Sequence, residues 1–213
     1  MSPVVAPDFP GIYSFKPRFQ NSLRPFVKVL ARAGVSANQV TILTCALSAV
    51  FGLALSHYAE FQRMFLLMPA LLLIRMALNA VDGMLAREFA QKTRFGTYLN
   101  ELTDVVSDAF CYLPFAYLPG FSGTDIGMVI LLAAVSELAG TVAVMTGASR
   151  RYDGPMGKSD RAVAFGAAAL WIGASGKLPF LAAYLLPKVI AALILLTIVN
   201  RVRHGLQEME TEN

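Results

Sequence analysis

The amino-acid sequence predicts an all-α integral membrane protein with six transmembrane helices and an N-terminal amphipathic helix on the membrane surface. Three observations support this fold class. Of the 213 residues, 56% are hydrophobic and only 15% are charged, whereas soluble domains contain about 25% charged residues. Apolar stretches near the roughly 20 residues that span a bilayer recur along the chain. Lysine and arginine concentrate in alternate connections between these stretches.

The first predicted element is an amphipathic helix over residues 11–33. In the stretch IYSFKPRFQNSLRPFVKVLARAG, basic side chains alternate with Phe, Leu and Val. A helix of this composition lies in the membrane interface with its apolar face toward lipid. The alternative is a basic N-terminal flank that only sets the topology. Prolines and charges near the start of the chain replace the apolar core of a signal peptide, so no cleavable leader is expected.

Six membrane-spanning helices are predicted to follow within a single domain that comprises residues 1–213, and together they form a bundle over residues 39–200. Pro119 and Gly120 end the third span, and a turn over 176–179 separates the fifth from the sixth. The fifth span is short and rich in glycine and alanine. The predicted spans are residues 39–58, 64–85, 98–118, 126–147, 161–176 and 178–200.

The placement of basic residues predicts that both termini are cytoplasmic. Basic residues precede the first span, connect the second to the third and the fourth to the fifth, and follow the sixth, while the opposite side has Arg63 and Lys177. The positive-inside rule assigns the basic side to the cytoplasm. Cys45 and Cys111 lie in apolar stretches, so a disulfide framework is not expected.

A polar segment, LNAVDGMLAREFAQKTRFGTYLNELTD, interrupts the apolar chain at residues 78–104. Positions 79, 82, 83 and 86 share one face of the second span, since their spacing is i, i+3, i+4, i+7. Positions 96, 100, 104 and 108 step by four along the third span. A short loop makes the two helices antiparallel, so we expect four side chains to converge: Asn79, Asp82, Asn100 and Asp104.

Carboxylate and amide oxygens without histidine or thiolate are typical ligands of Mg²⁺ or Mn²⁺. Proteins hold such ions with a few carboxylates, and substrate phosphates complete the coordination. Gly83 allows a ligand to approach the helix backbone, while Arg87, Lys92 and Arg94 add positive charge for phosphates. The segment predicts a metal-dependent phosphoryl-transfer site on the cytoplasmic face; the alternative is a buried polar network that stabilises the helix pair.

The same residues resemble the signature of the CDP-alcohol phosphotransferases, D-x2-D-G-x2-A-R-x8-G-x3-D-x3-D. In this chain the signature reads Asn79-x2-Asp82-Gly83-x2-Ala86-Arg87-x8-Gly96-x3-Asn100-x3-Asp104, so every spacing matches over 26 positions, with six of eight identities. The resemblance extends to the six spans, the basic surface helix and the segment SANQVT before the first span. Within the family, the chain is similar to the YnbA-like bacterial branch, which implies a bacterial cytoplasmic membrane.

The resemblance implies a homodimer of six-helix subunits with a polar cavity open to the cytoplasm and the lipid. It implies transfer of a phosphatidyl-type group from a CDP-linked lipid, expected to be CDP-diacylglycerol, to an alcohol, with release of CMP, in phospholipid biosynthesis. Mg²⁺ or Mn²⁺ is the implied cofactor, and nucleic acid is not an expected partner. The implied general base is Asp104, and the implied metal ligands are Asn79, Asp82, Asn100 and Asp104.

The resemblance also implies contacts with the CDP moiety. Gly83, Ala86, Arg87 and Gly96 belong to the signature and would lie against the nucleotide. Asn38 and Thr41 resemble an Asn-x2-Thr pattern of the family at the entry to the first span. An N-terminal helix-capping role for that region is an equal alternative.

The chain departs from the family signature where asparagine replaces aspartate at Asn79 and Asn100. Each replacement keeps a carbonyl oxygen but removes one negative charge, which weakens cation binding and favours a single metal ion. Three explanations are open: a natural variant with altered metal or substrate use, an inactivated protein, or an engineered mutant. Because Asp104 is retained, we favour a variant that still catalyses, with a non-catalytic pseudoenzyme that binds a nucleotide-lipid or a partner protein as the alternative.

A second basic segment, SRRYDGPMGKSDR, connects the fourth and fifth spans. Arginine forks suit phosphate oxygens, so the segment predicts a pocket for a phosphorylated acceptor, formed by Arg150, Arg151, Lys158 and Arg161. The alternative is that positive-inside topology alone explains these residues. Arg75, Glu137 and Lys188 lie inside predicted spans, where a buried ion pair or a cavity-lining charge is expected. For Asp108 we favour a structural hydrogen bond.

Overall fold

The computed structural model of the protein describes residues 16–212, and the side chains of residues 16–18 and 210–212 are outside this description. Residues 11–15 of the predicted surface helix and both ends of the predicted single domain therefore lie outside the described residues.

Seven α-helices and two short 3-10 helices account for the described chain, and no strand occurs within residues 16–212. The α-helices are α1 (Lys16–Arg32), α2 (Ala37–His57), α3 (Leu67–Glu88), α4 (Arg94–Tyr112), α5 (Gly123–Met145), α6 (Lys158–Ser175) and α7 (Phe180–Glu212). The 3-10 helices are Gln62–Leu66, before α3, and Leu113–Tyr117, after α4. The predicted all-α class is confirmed, and α2–α7 occur where the six spans were predicted.

Four segments of the described chain are long and apolar enough to cross a membrane by length and composition, namely Ala37–His57, Gln62–Glu88, Gly123–Met145 and Phe180–Met209. They contain α2, α3, α5 and α7. The helices α4 and α6 are more charged: α4 contains Glu101, Asp104 and Asp108, and α6 begins with Lys158 and Arg161. Four of the six predicted spans thus have the apolar character of a transmembrane helix.

Two predicted boundaries differ from the observed ones for local reasons. The third predicted span was expected to reach residue 118, but α4 ends at Tyr112 and the chain tightens into a 3-10 helix. Pro114 lies at the start of this turn, where its missing N–H is tolerated. The sixth predicted span was expected to end at residue 200, whereas α7 continues to Glu212 and includes Arg201.

The helix α1 packs against the end of α3. Val27 is fully buried in a small cluster with Val81 and Leu85. Arg24 donates to both carboxylate oxygens of Glu88, at 3.2 and 3.0 Å. A helix therefore occupies the region of the predicted surface helix, and its contacts connect it to the polar end of α3.

The main core is formed by residues of α2 to α7 and of both 3-10 helices, around packed aromatic rings. Phe65, Tyr112, Phe115 and Phe165 are each no more than 1% exposed, and the rings of Tyr112 and Phe165 stack with centroids 4.3 Å apart. On the other side, α2 packs against both α3 and α4. Gly52 makes this packing close, because a Cβ atom there would overlap the carbonyl group of Phe110. The helix α2 thus holds α3 and α4 side by side.

Candidate active site

The connection between α3 and α4 places the two halves of the polar segment next to each other. The side chain of Thr93 accepts a hydrogen bond from the Gly96 backbone at 2.9 Å and caps the start of α4. Gln91 ties the connection to the start of α2: its Oε1 accepts from the Ala37 backbone at 2.7 Å, and its Nε2 donates to the Val35 carbonyl at 3.3 Å. The short loop is therefore anchored at both ends.

Asp82 is buried on α3, with 5% of its surface exposed, and faces α2. The Thr41 hydroxyl lies 2.9 Å from Asp82 Oδ2 and donates to it. The cap of α2 comes from other residues: Ser36 accepts from the Gln39 backbone at 3.2 Å, and the Gln39 side chain accepts from the Ser36 backbone at 2.8 Å. The capping alternative for this region therefore applies to Ser36 and Gln39, whereas the Thr41 side chain contacts Asp82.

Asn38 faces the start of α4. A Cβ atom at Gly96 would lie 2.6 Å from Asn38 Oδ1 and 3.0 Å from Thr93 Oγ1. Glycine at this position of the signature thus allows α2 and α4 to approach each other beside the polar segment.

Three side chains converge on Asp104, which is 23% exposed. Asn79 Nδ2 donates to Asp104 Oδ1 at 3.2 Å, and Lys158 Nζ forms an ion pair with the same oxygen. Arg75 donates to the Asp104 backbone carbonyl at 3.1 Å. The structure therefore brings α3, α4 and α6 together at this carboxylate. Asp82 lies within electrostatic range of both Asp104 and Lys158.

Asn100 lies one turn before Asp104 on α4 and is half-buried. Within residues 16–212, no group of three or more His, Cys, Asp or Glu side chains is arranged to hold a metal ion. The predicted metal ligands include two carboxylates, Asp82 and Asp104, and this set fits one hard cation whose coordination is completed by phosphate oxygens.

The end of α3 presents the remaining signature residues. A Cβ atom at Gly83 would lie 3.0 Å from Arg87 Nη2, so glycine leaves room for the Arg87 guanidinium along the helix. Arg87 is exposed, and Ala86 packs against the cluster that joins α1 to α3. An exposed guanidinium one turn beyond Asp82 suits a phosphate group.

A groove of about 580 Å³ runs between α3 and α6 and ends at this site. Arg75, Asn79 and Lys158 form its polar end. Its other walls are largely apolar and include Leu72, Leu73, Met76, Ala162, Val163 and Leu170. The geometry therefore joins a polar centre to a surface that suits a hydrocarbon chain.

The four basic residues predicted to bind an acceptor phosphate have separate environments. Lys158 contacts Asp104. Arg161 is fully buried and forms ion pairs with Asp108 at 2.8 Å and Glu137 at 3.1 Å.

Arg150 contacts Glu101 and lies 3.7 Å from Glu137. Arg151 instead binds Asp153 at 2.8 Å and Glu208 at 2.6 Å. Burial opposes the ionisation of Asp153, but hydrogen bonds from Arg151 and His204 hold the pKa of Asp153 below its usual range. Arg151 therefore belongs to a contact between the connecting loop and α7.

One residue that matters to this site, Arg201, was not selected from the sequence, and another, Arg75, was expected only to form a buried ion pair or to line a cavity. Arg201 was expected to follow the sixth span, yet it is 2% exposed, lies inside α7 and is 3.5 Å from Glu137. The helical spacing of Ile194, Thr197 and Arg201 is the signal that places Arg201 on the buried face, since all three share one stripe. Arg75 lies beside Asp104 and also forms an ion pair with Asp108 at 2.6 Å.

Comparisons with known proteins show the family of the chain and agree with its helical architecture. The family model described as CDP-alcohol phosphatidyltransferase matches residues 35–202. Inner membrane protein YnbA of Escherichia coli is 43% identical over 194 residues, which cover 90% of this chain and 94% of that protein. Archaetidylinositol phosphate synthase of Pyrococcus horikoshii is 27% identical over 144 residues, or 64% of this chain and 73% of that protein.

Two solved structures of the phosphatidylinositol phosphate synthase of Mycobacterium tuberculosis are similar in fold. The structure with CDP-DAG bound has a TM-score of 0.69 and 21% identity, and the match covers 85% of this chain and 92% of that chain. The structure in complex with manganese and citrate has a TM-score of 0.69 and 20% identity, with 85% of this chain and 88% of that chain covered.

The different environments of Arg161 and Arg151 predict different effects of replacement by alanine. Arg161→Ala removes a fully buried cation that pairs with both Asp108 and Glu137, and should lower the free energy of unfolding by about 3–5 kcal/mol. Arg151→Ala removes a partly exposed pair and should cost about 1 kcal/mol or less. Thermal unfolding in detergent measures both. Equal losses of stability would contradict a structural role for Arg161.

Proposed function

Since the chain belongs to the CDP-alcohol phosphatidyltransferase family, we propose that it transfers a phosphatidyl-type group from a CDP-linked lipid to an alcohol. The donor is CDP-diacylglycerol, the second product is CMP, and the reaction serves phospholipid biosynthesis. The observation that carries this proposal is the convergence of Asn79, Asp104 and Lys158 at the polar end of an apolar groove. A lipid with a charged headgroup needs an apolar surface for its chains directly beside a polar centre for its headgroup.

The groove between α3 and α6 accommodates an acyl chain of the donor, and the polar end receives the diphosphate. Leu73 and Leu170 are exposed along the groove walls, so they face the hydrocarbon of the membrane as well as the groove. The donor therefore enters laterally from the lipid. The nucleotide lies toward the exposed end of α3, where Gly83, Ala86 and Arg87 present an open backbone and a guanidinium, with Asn38, Thr41 and Gly96 beside it.

Asp104 is the general base of the reaction. It accepts the proton of the acceptor hydroxyl, whose oxygen forms a bond to the phosphorus next to the lipid. The bond from that phosphorus to the bridging oxygen breaks, and CMP leaves with the electron pair. Asn79 and Lys158 orient the carboxylate from two sides, and Arg75 holds the backbone at Asp104. Their contacts keep the base in one position relative to the groove.

The two carboxylates and two amides around the site would hold Mg²⁺ or Mn²⁺ together with the donor phosphates. These ligands are Asn79, Asp82, Asn100 and Asp104. When bound, the ion neutralises charge on the donor diphosphate. The Thr41 hydroxyl fixes one oxygen of Asp82 by a hydrogen bond. The solved relative that contains manganese supports a metal of this kind.

The helices α4 and α6 cross the membrane with the other four, although they are more charged. Asp108 and Arg161 are buried inside the bundle, whereas the outer face of α4 presents Phe95, Leu102 and Val106. Charged residues are tolerated in a span when they face the interior and pair. Six spans and the distribution of basic residues together support cytoplasmic termini and a cytoplasmic active site.

The helix α1 lies on the cytoplasmic membrane surface. Phe26 and Val29 are exposed on it, as are Lys28 and Arg32, which is the pattern of an interfacial helix. The whole chain forms one domain, and the active unit is a homodimer, as the family resemblance implies. Localisation in a bacterial inner membrane is supported by the relative YnbA.

A non-catalytic membrane protein of the same fold is the second candidate function. Two observations favour it: amides replace carboxylates at Asn79 and Asn100, and the Lys158 ammonium group lies on the proposed base. Such a protein would bind a CDP-linked lipid and release no CMP.

The role of Asp104 predicts that Asp104→Asn lowers turnover by about 100-fold or more, while binding of CDP-diacylglycerol is retained. The amide keeps the shape of the side chain but cannot accept the hydroxyl proton. CMP release with a panel of alcohols measures turnover, and donor binding is measured separately by calorimetry. Asp125→Asn is the matched control, because Asp125 pairs with Lys188 on α5 and α7 and lies outside the site. CMP release by Asp104→Asn at the unmodified rate would contradict the assignment.

The role of the groove predicts that Val163→Trp raises the KM for CDP-diacylglycerol by about tenfold, a change of about 1.4 kcal/mol. The indole ring would occupy the space of an acyl chain, so a donor with short chains should be affected less. Leu131→Trp is the control, because Leu131 and Val163 are both 58% exposed but Leu131 lies on α5, away from the groove lining. Equal KM values for the two variants would exclude the groove as the lipid site.

The charge of the site predicts weak metal binding that depends on the donor. With two carboxylates, the protein should require Mg²⁺ or Mn²⁺ in the millimolar range, an order-of-magnitude expectation from the lost ligand charge. The double variant Asn79→Asp with Asn100→Asp should bind Mn²⁺ more tightly without nucleotide. Calorimetry with and without a CDP-lipid measures both. Tight binding of two metal ions by the unmodified, nucleotide-free protein would contradict this account.

A further inference from the structure

Three arginines from different parts of the chain converge on one carboxylate beside the proposed active site. Glu137 lies in the middle of α5 and its side chain is 12% exposed. Its Oε1 is 3.1 Å from Arg161 Nη2 and 3.5 Å from Arg201 Nη1. Its Oε2 is 3.7 Å from Arg150 Nη2. Both oxygens of Glu137 therefore face guanidinium groups.

From this geometry we propose that Glu137 determines the acceptor: it fills an arginine cluster that would otherwise bind a phosphate, so the acceptor is an alcohol without a phosphate group. The arginine cluster is defined as Arg150, Arg161 and Arg201. The inference rests on the proposed transfer reaction and is an alternative to the prediction that the basic residues of the connecting loop hold an acceptor phosphate.

The arginine cluster has the features of a site that binds a carboxylate or a phosphate. Guanidinium groups bind carboxylate and phosphate oxygens with the same planar donor geometry. Arg161 and Arg201 are 0% and 2% exposed, so they are shielded from water and would bind an anion strongly. In this chain the anion is part of the protein, and its two oxygens stand where two phosphate oxygens would bind.

The surrounding charges leave little capacity for a second anion. The connected ion pairs around Glu137 involve five cations, namely Arg75, Arg150, Lys158, Arg161 and Arg201. They also involve four carboxylates, namely Glu101, Asp104, Asp108 and Glu137. A phosphate monoester carries a charge of about −1.5 to −2 at neutral pH. Its entry would leave excess negative charge in a poorly hydrated interior, which is costly.

The arginine cluster lies next to the base, where the rest of an acceptor molecule must bind. Arg150 contacts Glu101, which is one turn before Asp104 on α4. Arg161 is one turn after Lys158 on α6, and Lys158 contacts Asp104. An acceptor whose hydroxyl reaches Asp104 therefore extends over Glu137 and its arginines.

A neutral polyol suits this environment better than a phosphate ester. Each hydroxyl group both donates and accepts a hydrogen bond. Partly exposed carboxylate oxygens of Glu101 and guanidinium nitrogens of Arg150 offer acceptors and donors side by side, each side chain being 26% exposed. Such an acceptor brings no net charge, so the pairing of Glu137 is preserved.

Binding of inorganic phosphate to the protein without any donor lipid tests the role of Glu137. We compare the thermal unfolding midpoint in phosphate with that in chloride at equal ionic strength. Phosphate should stabilise Glu137→Gln more than it stabilises unmodified protein, because the isosteric amide removes the anion that the three arginines share. Glu208→Gln is the matched control, since Glu208 pairs with Arg151 outside the arginine cluster, and it should resemble unmodified protein. Equal stabilisation of all three proteins by phosphate would overturn the proposal.

Acceptor preference gives a second test, and its first comparison uses only the unmodified protein. With CDP-diacylglycerol as donor, kcat/KM is compared for glycerol and glycerol 3-phosphate, and for inositol and inositol phosphate. Unmodified protein should favour the alcohol over its phosphate ester, and Glu137→Gln should move this ratio toward the ester by about tenfold or more. A preference of the unmodified protein for the phosphate ester would overturn the proposal. Absence of turnover with every acceptor would contradict the proposed transfer reaction, while the phosphate measurement would still decide the role of Glu137.

Discussion

The pairing of Asp108 with Arg75 and Arg161 is the interaction on which the arrangement of the helices depends. These three charges come from α4, α3 and α6, are each at most 5% exposed, and lie 2.6 and 2.8 Å apart in their two pairs. An unpaired charge in such an interior would cost several kcal/mol. The three helices are therefore restricted to a rotation and register that keep the charges in contact.

The same pairing positions the proposed chemistry. Asp104 lies one turn from Asp108, and Arg75 contacts both, through the backbone carbonyl of Asp104 and the carboxylate of Asp108. Lys158 lies one turn before Arg161 and meets Asp104. The buried ion pairs of Asp108 thus hold in place Asp104, which lies one turn away on the same helix and is 23% exposed. It also explains why α4 and α6 are less apolar than the other four long helices, since their charges are satisfied inside the protein.

Five cations around Asp104 and Glu137, namely Arg75, Arg150, Lys158, Arg161 and Arg201, each have a carboxylate partner within the protein. The family signature contributes fewer acidic groups here than its four aspartates would, because Asn79 and Asn100 are neutral, while Glu101 and Glu137 add carboxylates toward α5. Relative to the signature, negative charge is lower at the proposed metal ligands and higher beside the proposed acceptor region. This distribution connects two of our proposals, weak metal affinity and rejection of anionic acceptors, through the same electrostatic cause.

The sequence by itself determined the helical class, the approximate positions of α2–α7 and the two polar faces around Asp82 and Asp104, because hydrophobic periodicity and i, i+4 spacing are local properties of a helix. Only the tertiary structure showed that neighbouring basic residues have different partners. Arg151 and Arg161 belong to one charged segment, yet one joins the loop to α7 and the other is buried beside Asp108. Spacing along a chain shows which face of a helix a residue shares, but the partner across that face depends on how several helices rotate and pack. For that reason Arg201 and the arginine cluster around Glu137 emerged only from the folded structure.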